Sequence, residues 1–214
     1  MSFDLSVIPH KNIILAVTGG IAAYKSAILV RRLKDFGFDV RVVMTHGAQA
    51  FITPLTFQAL SGNPVHTELL DPEAEAGMGH IELARWADLV LVAPASCDSI
   101  AKFANGLADD LLSTLYLATK APVWVAPAMN QQMWAAKATQ RNLQTLVEDG
   151  VHVIMPDAGE QACGDVGLGR MPEPEDLARQ VAAYFHKAQR AIAEKFGLLA
   201  GKRVTITAGP TREA

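Results

Sequence analysis

The feature that most constrains the fold is a series of short, wholly apolar segments separated by stretches of helical length. Asp88–Ala93 (DLVLVA) and Pro122–Ala126 (PVWVA) are the clearest, and Asn12–Val17, Asp39–Met44 and Val151–Met155 are of the same kind. Strands that are apolar on both faces are typical of parallel sheets covered by helices on both sides. Because crossovers between parallel strands are right-handed, we predict a single-domain α/β fold with a doubly wound parallel sheet, flavodoxin- or Rossmann-like, in three layers.

The composition is that of a chain with an extensive buried core. Of the 214 residues, 50% are hydrophobic and 19% are charged, whereas average soluble proteins carry roughly 25% charged residues. Disordered chains are poor in apolar residues and rich in charge, so disorder is excluded. The low charge has two explanations that stay open here: a sheet buried on both faces, or a surface partly hidden in an oligomer.

Charge, hydropathy and cysteine content exclude several classes of protein. A net charge of −3 without a basic stripe argues against a nucleic-acid partner. No apolar run approaches the roughly 20 residues that span a bilayer, and Met1–Lys11 lacks a signal-peptide core, so no membrane association is expected. Two cysteines cannot form a disulfide framework, which favours a cytoplasmic location. The histidines and cysteines lack the spacing of metal ligands, so no metal site is predicted.

Ligands of a doubly wound sheet bind beyond the carboxyl ends of its strands, so the segments that follow the strands are the candidates for a site. Thr18–Ala23 (TGGIAA) follows the first strand, and its glycines would let backbone N–H groups approach an anion at a helix N-terminus. A tight strand-to-helix turn explains the same residues, because neither a G-x-G-x-x-G nor a P-loop pattern is present. Thr45 follows the second strand and would cap the next helix or bind phosphate.

Two further strand ends carry small or polar residues. Pro94–Asp98 (PASCD) would let a flat ring lie against the backbone, although Ser96 or Asp98 as a helix N-cap explains it as well. Cys97 would serve in packing or as a backbone contact to a ligand. Asn130, which ends Pro127-Ala128-Met129-Asn130, would either bind a carboxylate or amide or cap a helix.

The remaining candidates are a histidine and a cysteine in glycine-rich surroundings. Asp157–Pro174 has no apolar periodicity and is predicted to be a long loop, and such loops are often functional. Cys163 lies in this loop rather than in an apolar stretch, so its thiol is a candidate acid, nucleophile or redox group. His80 is preceded by glycine and is either a surface or cap residue or a general base active near neutral pH.

Taken together, several segments resemble one known family. They are GGIAAYK at 19–25, PAS at 94–96, PAMNQQMW at 127–134 and ACGDVGLGRM at 162–171, with His80 ahead of RWAD at 85–88. Over about Asn12 to Ala183 the chain is similar to the flavin-dependent cysteine decarboxylases. Within them it resembles the phosphopantothenoylcysteine decarboxylase domain of the bifunctional coenzyme A biosynthesis protein.

The resemblance implies FMN as cofactor and a role for each matched residue. His80 would be the catalytic base and Cys163 the proton donor, and Asn130 would bind the substrate carboxylate. A loop over the substrate would contain Ala162, Gly164 and Met171. The residues implied to hold the FMN phosphate and flank the flavin are Gly20, Thr45 and Phe51. Those implied to line the isoalloxazine are Pro94, Ala95, Ser96 and Cys97. Asp98 departs from the family pattern, and no flavin contact is predicted for its side chain.

The implied reaction converts 4′-phosphopantothenoyl-cysteine into 4′-phosphopantetheine and CO2, a carboxy-lyase step of coenzyme A biosynthesis. A cysteine carboxylate has no electron sink, but oxidation of the thiol carbon by hydride transfer to FMN creates one. The ene-thiol left after CO2 departs is then protonated and reduced. Three alternatives remain: a decarboxylase of peptide C-terminal cysteines, a non-catalytic FMN-binding regulatory subunit, and an electron-transfer flavoprotein.

The domain organisation follows from the same resemblance. Residues 1–200 are expected to form the FMN-binding cysteine decarboxylase domain. Residues 201–214 contain a strand-like segment and a Gly-Pro turn, and are expected to open a fused phosphopantothenate–cysteine ligase domain in the full-length protein. The resemblance further implies a homotrimer or an assembly of trimers (a dodecamer), with active sites at subunit interfaces and a small-molecule substrate.

Overall fold

The described part of the chain is built around one parallel sheet. The computed structural model describes residues 10–69 and 79–196, and over these ranges six strands pair in parallel in the order β3-β2-β1-β4-β5-β6. This is the strand order of the Rossmann fold, and it confirms the predicted doubly wound sheet. The strands are β1 (Asn12–Val17), β2 (Asp39–Met44), β3 (Val65–His66), β4 (Leu89–Ala95), β5 (Val123–Pro127) and β6 (His152–Val153).

Alternation of side chains along the strands divides the core into two layers. In β1, Ile13 and Leu15 pack on one face and Ile14 and Ala16 on the other, and all four are fully buried. Every residue of β4 is buried, as its continuous apolar run predicts. One layer is covered by α1 (Ala23–Asp35), α3 (Pro54–Ser61) and α9 (Pro174–Phe196). The other is covered by α4 (Gly79–Trp86), α5 (Cys97–Ala104), α6 (Leu111–Ala118) and α8 (Lys137–Glu148).

The strand order reverses between β1 and β4, and this reversal positions the site. The connections from these two neighbouring strands run to opposite sides, which leaves a crevice between their carboxyl ends. Helix α1 starts directly beyond this point. The hydroxyl of Ser26 in α1 donates a hydrogen bond of 2.6 Å to the Ala93 carbonyl of β4, so the start of the helix is fixed to the sheet.

The structure corrects two predictions made from the sequence. The segment Asp157–Pro174, predicted to be a long loop, contains an antiparallel hairpin of β7 (Asp157–Glu160) and β8 (Val166–Arg170). Apolar alternation could not indicate this hairpin, because its side chains are mostly exposed. The sequence pattern of Met133–Glu148 predicts one helical stretch, whereas the structure has two helices, α7 (Gln131–Ala135) and α8, separated by the extended residue Ala136.

Some elements had no clear sequence signal, and some predictions cannot be compared with the structure. The short α2 (His46–Gln49), β3 and α4 were not predicted. The strand expected at residues 202–210, and with it the proposed domain boundary at 200, lies outside the described residues. Across the described ranges, the helices are too short or too polar to cross a membrane.

Candidate active site

A buried threonine ties together the strand ends at the point where the sheet reverses. The hydroxyl of Thr18, which directly follows β1, donates to the Pro94 carbonyl at 2.7 Å and accepts from the Ser96 N–H at 2.8 Å. Thr18 is completely buried. The two segments that follow β1 and β4 therefore have a fixed spacing.

A cleft of about 460 Å³ opens beside these strand ends. This volume lies within the roughly 300–1,000 Å³ of small-molecule sites. One side, which we term the strand-end wall, consists of segments 18–25, 94–97 and 128–133. The other side, the hairpin wall, is formed by residues 157–171. The cleft lies between the two walls, and both contribute residues to its lining.

The glycines at the start of α1 bring two turns together and leave space at the helix N-terminus. A Cβ on Gly19 would lie 3.1 Å from the Gly47 backbone carbon, so a side chain there would push apart the turns after β1 and β2. A Cβ on Gly20 would meet nothing within 4 Å. The helix dipole and the first N–H groups of α1 favour an anion at such a place. The arrangement suits a phosphate group.

In the segment after β4, the helix-cap alternative holds for Ser96, and the same residue lines the cleft. Ser96 caps α5 by accepting a hydrogen bond from the Ser99 N–H at 3.2 Å. Cys97 lines the cleft too, with its sulfur 3.3 Å from the Thr139 hydroxyl. Asp98 is not in the cleft lining, and its carboxylate lies 3.7 Å from the Lys102 ammonium.

Asn130 links the strand-end wall to the hairpin wall. Its side-chain oxygen caps α7 by accepting from the Gln132 N–H at 2.8 Å. Its amide nitrogen donates to the Cys163 sulfur at 3.4 Å and to an Asp165 carboxylate oxygen at 2.9 Å. Helix capping, one of the two alternatives considered from the sequence, is therefore observed, and the amide nitrogen contacts the hairpin wall.

The hairpin that bears Cys163 is held on the strand-end wall by a glutamine. The Gln161 side-chain oxygen accepts from the Gln131 N–H at 3.0 Å, while its nitrogen donates to the Met129 and Leu168 carbonyls at 3.3 and 3.2 Å. The Met129 N–H donates to the Gly169 carbonyl at 2.9 Å. Because these bonds fix both strands of the hairpin, the exposed thiol of Cys163 has a defined position over the cleft.

The lining includes about half of the residues predicted from the sequence. Those that line the cleft are Gly20, Ser96, Cys97, Asn130, Ala162, Cys163 and Met171. Pro94 and Ala95 belong to buried β4, immediately behind the lining. Thr45 lies beside the turn after β1, because its N–H donates to the Val17 carbonyl at 3.1 Å. Phe51 is 53% exposed, and Gly164 lies in the hairpin turn; neither is in the lining.

His80, the predicted catalytic base, is another residue that lies outside the cleft lining. It lies in the first turn of α4 and is half-buried. Its Nδ1 atom is buried and has no hydrogen-bond partner among the residues that the structure describes. Within a single chain, His80 and Cys163 therefore do not line the same cleft.

Sequence reasoning missed three residues that build the cleft, namely Thr18, Lys25 and Gln161. Thr18 was treated only as part of a glycine turn. Lys25 lies one helical turn before the buried Leu29, and a lysine on the apolar face of an amphipathic helix is a usable signal of a buried role. Gln161 had no such signal, because two of its three hydrogen bonds go to residues about 30 positions away in the sequence.

Comparisons with known proteins agree with this geometry. Residues 5–186 match the Flavoprotein family. The chain is 61% identical over 204 residues to the coenzyme A biosynthesis bifunctional protein CoaBC of Vibrio cholerae, covering 95% of this chain and 49% of that protein. The chain thus spans about half the length of the curated relatives it matches.

Two solved structures share the fold. One is a cysteine-to-serine mutant of PPC decarboxylase complexed with pantothenoylaminoethenethiol, with 32% identity and a TM-score of 0.74 over 83% of this chain and all of that one. The other is the FMN binding protein AtHal3, with 33% identity and a TM-score of 0.72 over 84% and 98% of the two chains. With a cleft suited to a phosphate and a family match over most of its length, the chain belongs to the flavoprotein family.

Proposed function

We propose that the chain is an FMN-dependent decarboxylase of 4′-phosphopantothenoyl-L-cysteine, a carboxy-lyase of coenzyme A biosynthesis. The observation that carries this proposal is the meeting of Asn130 and Cys163, 3.4 Å apart, in a cleft that also contains the N-terminus of α1. Relatives named as coenzyme A biosynthesis proteins, and the likeness to PPC decarboxylase, support the same reaction.

The strand-end wall is the proposed FMN site. The turn at Gly20 would hold the phosphate at the start of α1, with Thr45 beside it and Phe51 against the flavin. The ring would lie on the flat backbone of residues 94–97. Bound there, FMN supplies a hydride acceptor for oxidation of the substrate thiol carbon and a hydride donor for the final reduction. The named structural relative that binds FMN supports this assignment.

Asn130 is proposed to bind the substrate carboxylate. Its amide already donates to a carboxylate, that of Asp165, at 2.9 Å, which supports the assignment. A neutral amide orients a carboxylate without strongly stabilising its charge. This matters because the charge leaves the carboxylate as CO2 forms, and tight ion pairing would stabilise the ground state more than the transition state.

Cys163 is proposed to protonate the ene-thiol left after CO2 departs. Its thiol lies beside the Asn130 amide, so a substrate carboxylate bound there would place the adjacent carbon close to the thiol. A proton donor must lie within hydrogen-bond reach of the atom it protonates. Ala162, Gly164 and Met171 belong to the same hairpin wall and are proposed to cover the substrate.

We further propose that the active site forms between subunits of a homo-oligomer, built from trimers. His80, the proposed base, lies outside the cleft lining of its own chain, so a neighbouring copy would supply it. Ile21 and Tyr24 line the cleft although 62% and 56% of their surfaces are exposed, and Phe51 is 53% exposed on the same edge of the sheet. Exposed apolar side chains in one region favour a subunit contact.

Complementation tests this subunit arrangement. Mixing His80→Asn with Cys163→Ser under conditions of subunit exchange should restore part of the activity, because some interfaces would combine an intact histidine with an intact cysteine. Each variant alone should stay inactive. A monomeric wild-type protein with full activity would contradict the arrangement.

The domain and location assignments are proposals as well. The relatives are bifunctional and about twice as long as the matched stretch, which supports residues 201–214 as the opening of a ligase domain. The cysteines of the described residues, Cys97 and Cys163, are free thiols, which agrees with a reducing compartment, and we propose the cytoplasm.

The central experiment adds phosphopantothenoylcysteine to the purified protein and measures CO2 and phosphopantetheine. Wild type should form both in equal amounts. His80→Asn should form neither, whereas Cys163→Ser should release CO2 once per site without completing the reduction. Full turnover by Cys163→Ser would show that its assigned role is wrong. A folded protein that is colourless, or one that acts only on peptides ending in cysteine, would contradict the proposed function.

A further inference from the structure

A lysine is buried at the junction of the two walls. Lys25 lies in the first turn of α1, and only 8% of its side chain is exposed. Its ammonium donates to the Met171 carbonyl at 2.9 Å and to a Glu173 carboxylate oxygen at 2.8 Å. Burial of a charged group is costly unless hydrogen-bond and charge partners compensate, so these two bonds determine where the ammonium can lie.

Both partners belong to the segment by which the hairpin leaves the cleft. Met171 directly follows β8 and is itself buried, and Glu173 directly precedes α9. Lys25 belongs to the helix whose N-terminus lies in the opposite wall. One side chain thus connects the start of α1 to the exit of the hairpin.

The hairpin has a separate attachment to the strand-end wall at residues 129–131, through Gln161 and Gly169. That attachment fixes the hairpin against the segment after β5. It does not fix the hairpin relative to α1, which follows β1. With Lys25 added, the hairpin is held from both sides of the cleft, so the position of Cys163 relative to the start of α1 is determined.

We propose that Lys25 is a positioning residue that sets the width of the cleft by anchoring the hairpin exit to α1. The inference rests on the proposed function only for the chemical role of Cys163. Both hydrogen bonds of the ammonium go to the protein itself, so Lys25 acts through the hairpin. Its loss should loosen the hairpin, and should let CO2 release continue while the later protonation by Cys163 fails more often.

The test compares Lys25→Met with a matched control, Arg32→Met, in the purified, FMN-loaded protein. Arg32 also joins α1 to α9, through a 2.9 Å bond to Glu175, but it is outside the cleft lining. Amide hydrogen exchange of residues 157–171 should be about tenfold faster in Lys25→Met, because exchange follows the free energy of local opening. It should be unchanged in Arg32→Met.

A second readout is the ratio of CO2 released to phosphopantetheine formed. Over a single turnover, in which each bound FMN serves once as the oxidant, Lys25→Met should raise this ratio above one. Its flavin absorbance per protein before substrate is added should equal that of wild type. A merely structural loss would lower both products together. Glu173→Gln keeps the lysine and its bond to Met171, so it should accelerate exchange about threefold, less than Lys25→Met does. If Lys25→Met does not fold, Glu173→Gln carries the test.

Equal exchange in the Lys25 and Arg32 variants, or unchanged exchange in Glu173→Gln when Lys25→Met does not fold, would overturn the proposal. So would accelerated exchange with a ratio that stays at one while the wild type turns over. If no protein, wild type included, releases CO2, the proposed function fails. The exchange comparison would still decide whether Lys25 anchors the hairpin.

Discussion

The two walls of the cleft are held in place by different forces. The strand-end wall begins at strands whose residues are almost all buried, and the buried hydroxyl of Thr18 adds two hydrogen bonds between their ends. In the hairpin wall, most residues of β7 and β8 are exposed, and the hairpin is attached through the side chains of Gln161 and Lys25 and through the Gly169 backbone.

This difference implies different stability for the two walls. Apolar burial on both faces of the sheet makes the strand-end wall part of the cooperative core. The hairpin wall depends on a few hydrogen bonds, each of which contributes only about 0.5–1.5 kcal/mol. The hairpin wall can therefore open locally while the fold stays intact.

Gly169→Val should have the largest effect, because it displaces the hairpin wall and leaves the strand-end wall in place. Gly169 has a positive φ of 138°, and a Cβ there would overlap the Met129 carbonyl oxygen, so the hairpin would have to leave the strand-end wall. Misplacement of a reacting group by about 1 Å can cost roughly 100-fold in rate, and we expect at least that loss of phosphopantetheine formation. Steady-state kinetics would measure the loss.

The melting temperature provides the complementary measurement for Gly169→Val. It should fall by only a few degrees, since the core does not depend on the hairpin wall. Gly106→Val is the matched control, because Gly106 also has a positive φ, 65°, but is outside the cleft lining, with nothing within 4 Å of its added Cβ. A Gly169 variant that unfolds together with its hairpin would contradict the separation of the two walls.

Substitution of Thr18 tests the strand-end wall instead of the hairpin wall. Thr18→Val keeps the shape of the side chain but leaves the Ser96 N–H without its buried acceptor. An unsatisfied buried donor costs about 1–3 kcal/mol, so the free energy of unfolding should decrease by that amount in urea titrations. Thr18→Ser keeps the hydroxyl and should lose less. If both variants lose equal stability, the methyl group rather than the hydrogen bonds accounts for the effect.

The strand-end wall is also the part that could be predicted from the sequence. Asn12–Val17 and Asp88–Ala93 are apolar on both faces, and that pattern directly reflects burial in a parallel sheet. The sheet type, and the edge at which a ligand would bind, follow from such runs together with the rule for strand ends. Glycines at 19 and 20 then identify the turn.

The hairpin wall could not be predicted in the same way. Its strands expose most of their side chains, so no alternation appears in Asp157–Arg170, and its position depends on partners far along the chain. Gln161 bonds to residues about 30 positions away, and Lys25 to residues nearly 150 positions away. Cys163 was identified from its unusual surroundings and from a family resemblance, and Gln161 had neither signal.

A smaller effect is expected when only the Gln161 attachment of the hairpin wall is removed. Gln161→Met keeps the approximate volume and removes three side-chain hydrogen bonds to the backbone. Partial replacement by water limits the net loss to about 1.4 kcal/mol, which corresponds to roughly a tenfold larger ratio of open to closed hairpin, and kcat should fall by at most that factor. Kinetics and urea unfolding together would measure it. Gln144→Met, on the exposed face of α8, is the control, and an equal loss of kcat there would contradict the attachment role of Gln161.

The smallest effect is expected from lowering the pH. Acid should reduce the stability of the core through Asp110, and it should leave the attachment of the hairpin unchanged. Asp110 caps α6. Its burial opposes ionisation, but hydrogen bonds from the Ser113 N–H and hydroxyl, and from the Lys102 ammonium, outweigh this and hold the pKa of Asp110 below its ordinary 3.8. The Asp110 hydrogen bond in turn raises the pKa of Lys102 despite partial burial.

A carboxyl whose pKa is lower in the folded state stabilises the fold above its unfolded pKa. That stabilisation is lost as the pH falls through the folded value. The difference in urea midpoint between wild type and Asp110→Asn should therefore be constant from pH 7 to about 5 and shrink below about pH 4.

Asp98→Asn, whose carboxylate is 76% exposed and 3.7 Å from the same lysine, should show little difference at any pH. A difference for Asp110→Asn that persists unchanged at pH 3 would contradict the lowered pKa. Hairpin exchange should be the same in wild type and Asp110→Asn across this range, because none of the bonds that hold the hairpin wall involves Asp110.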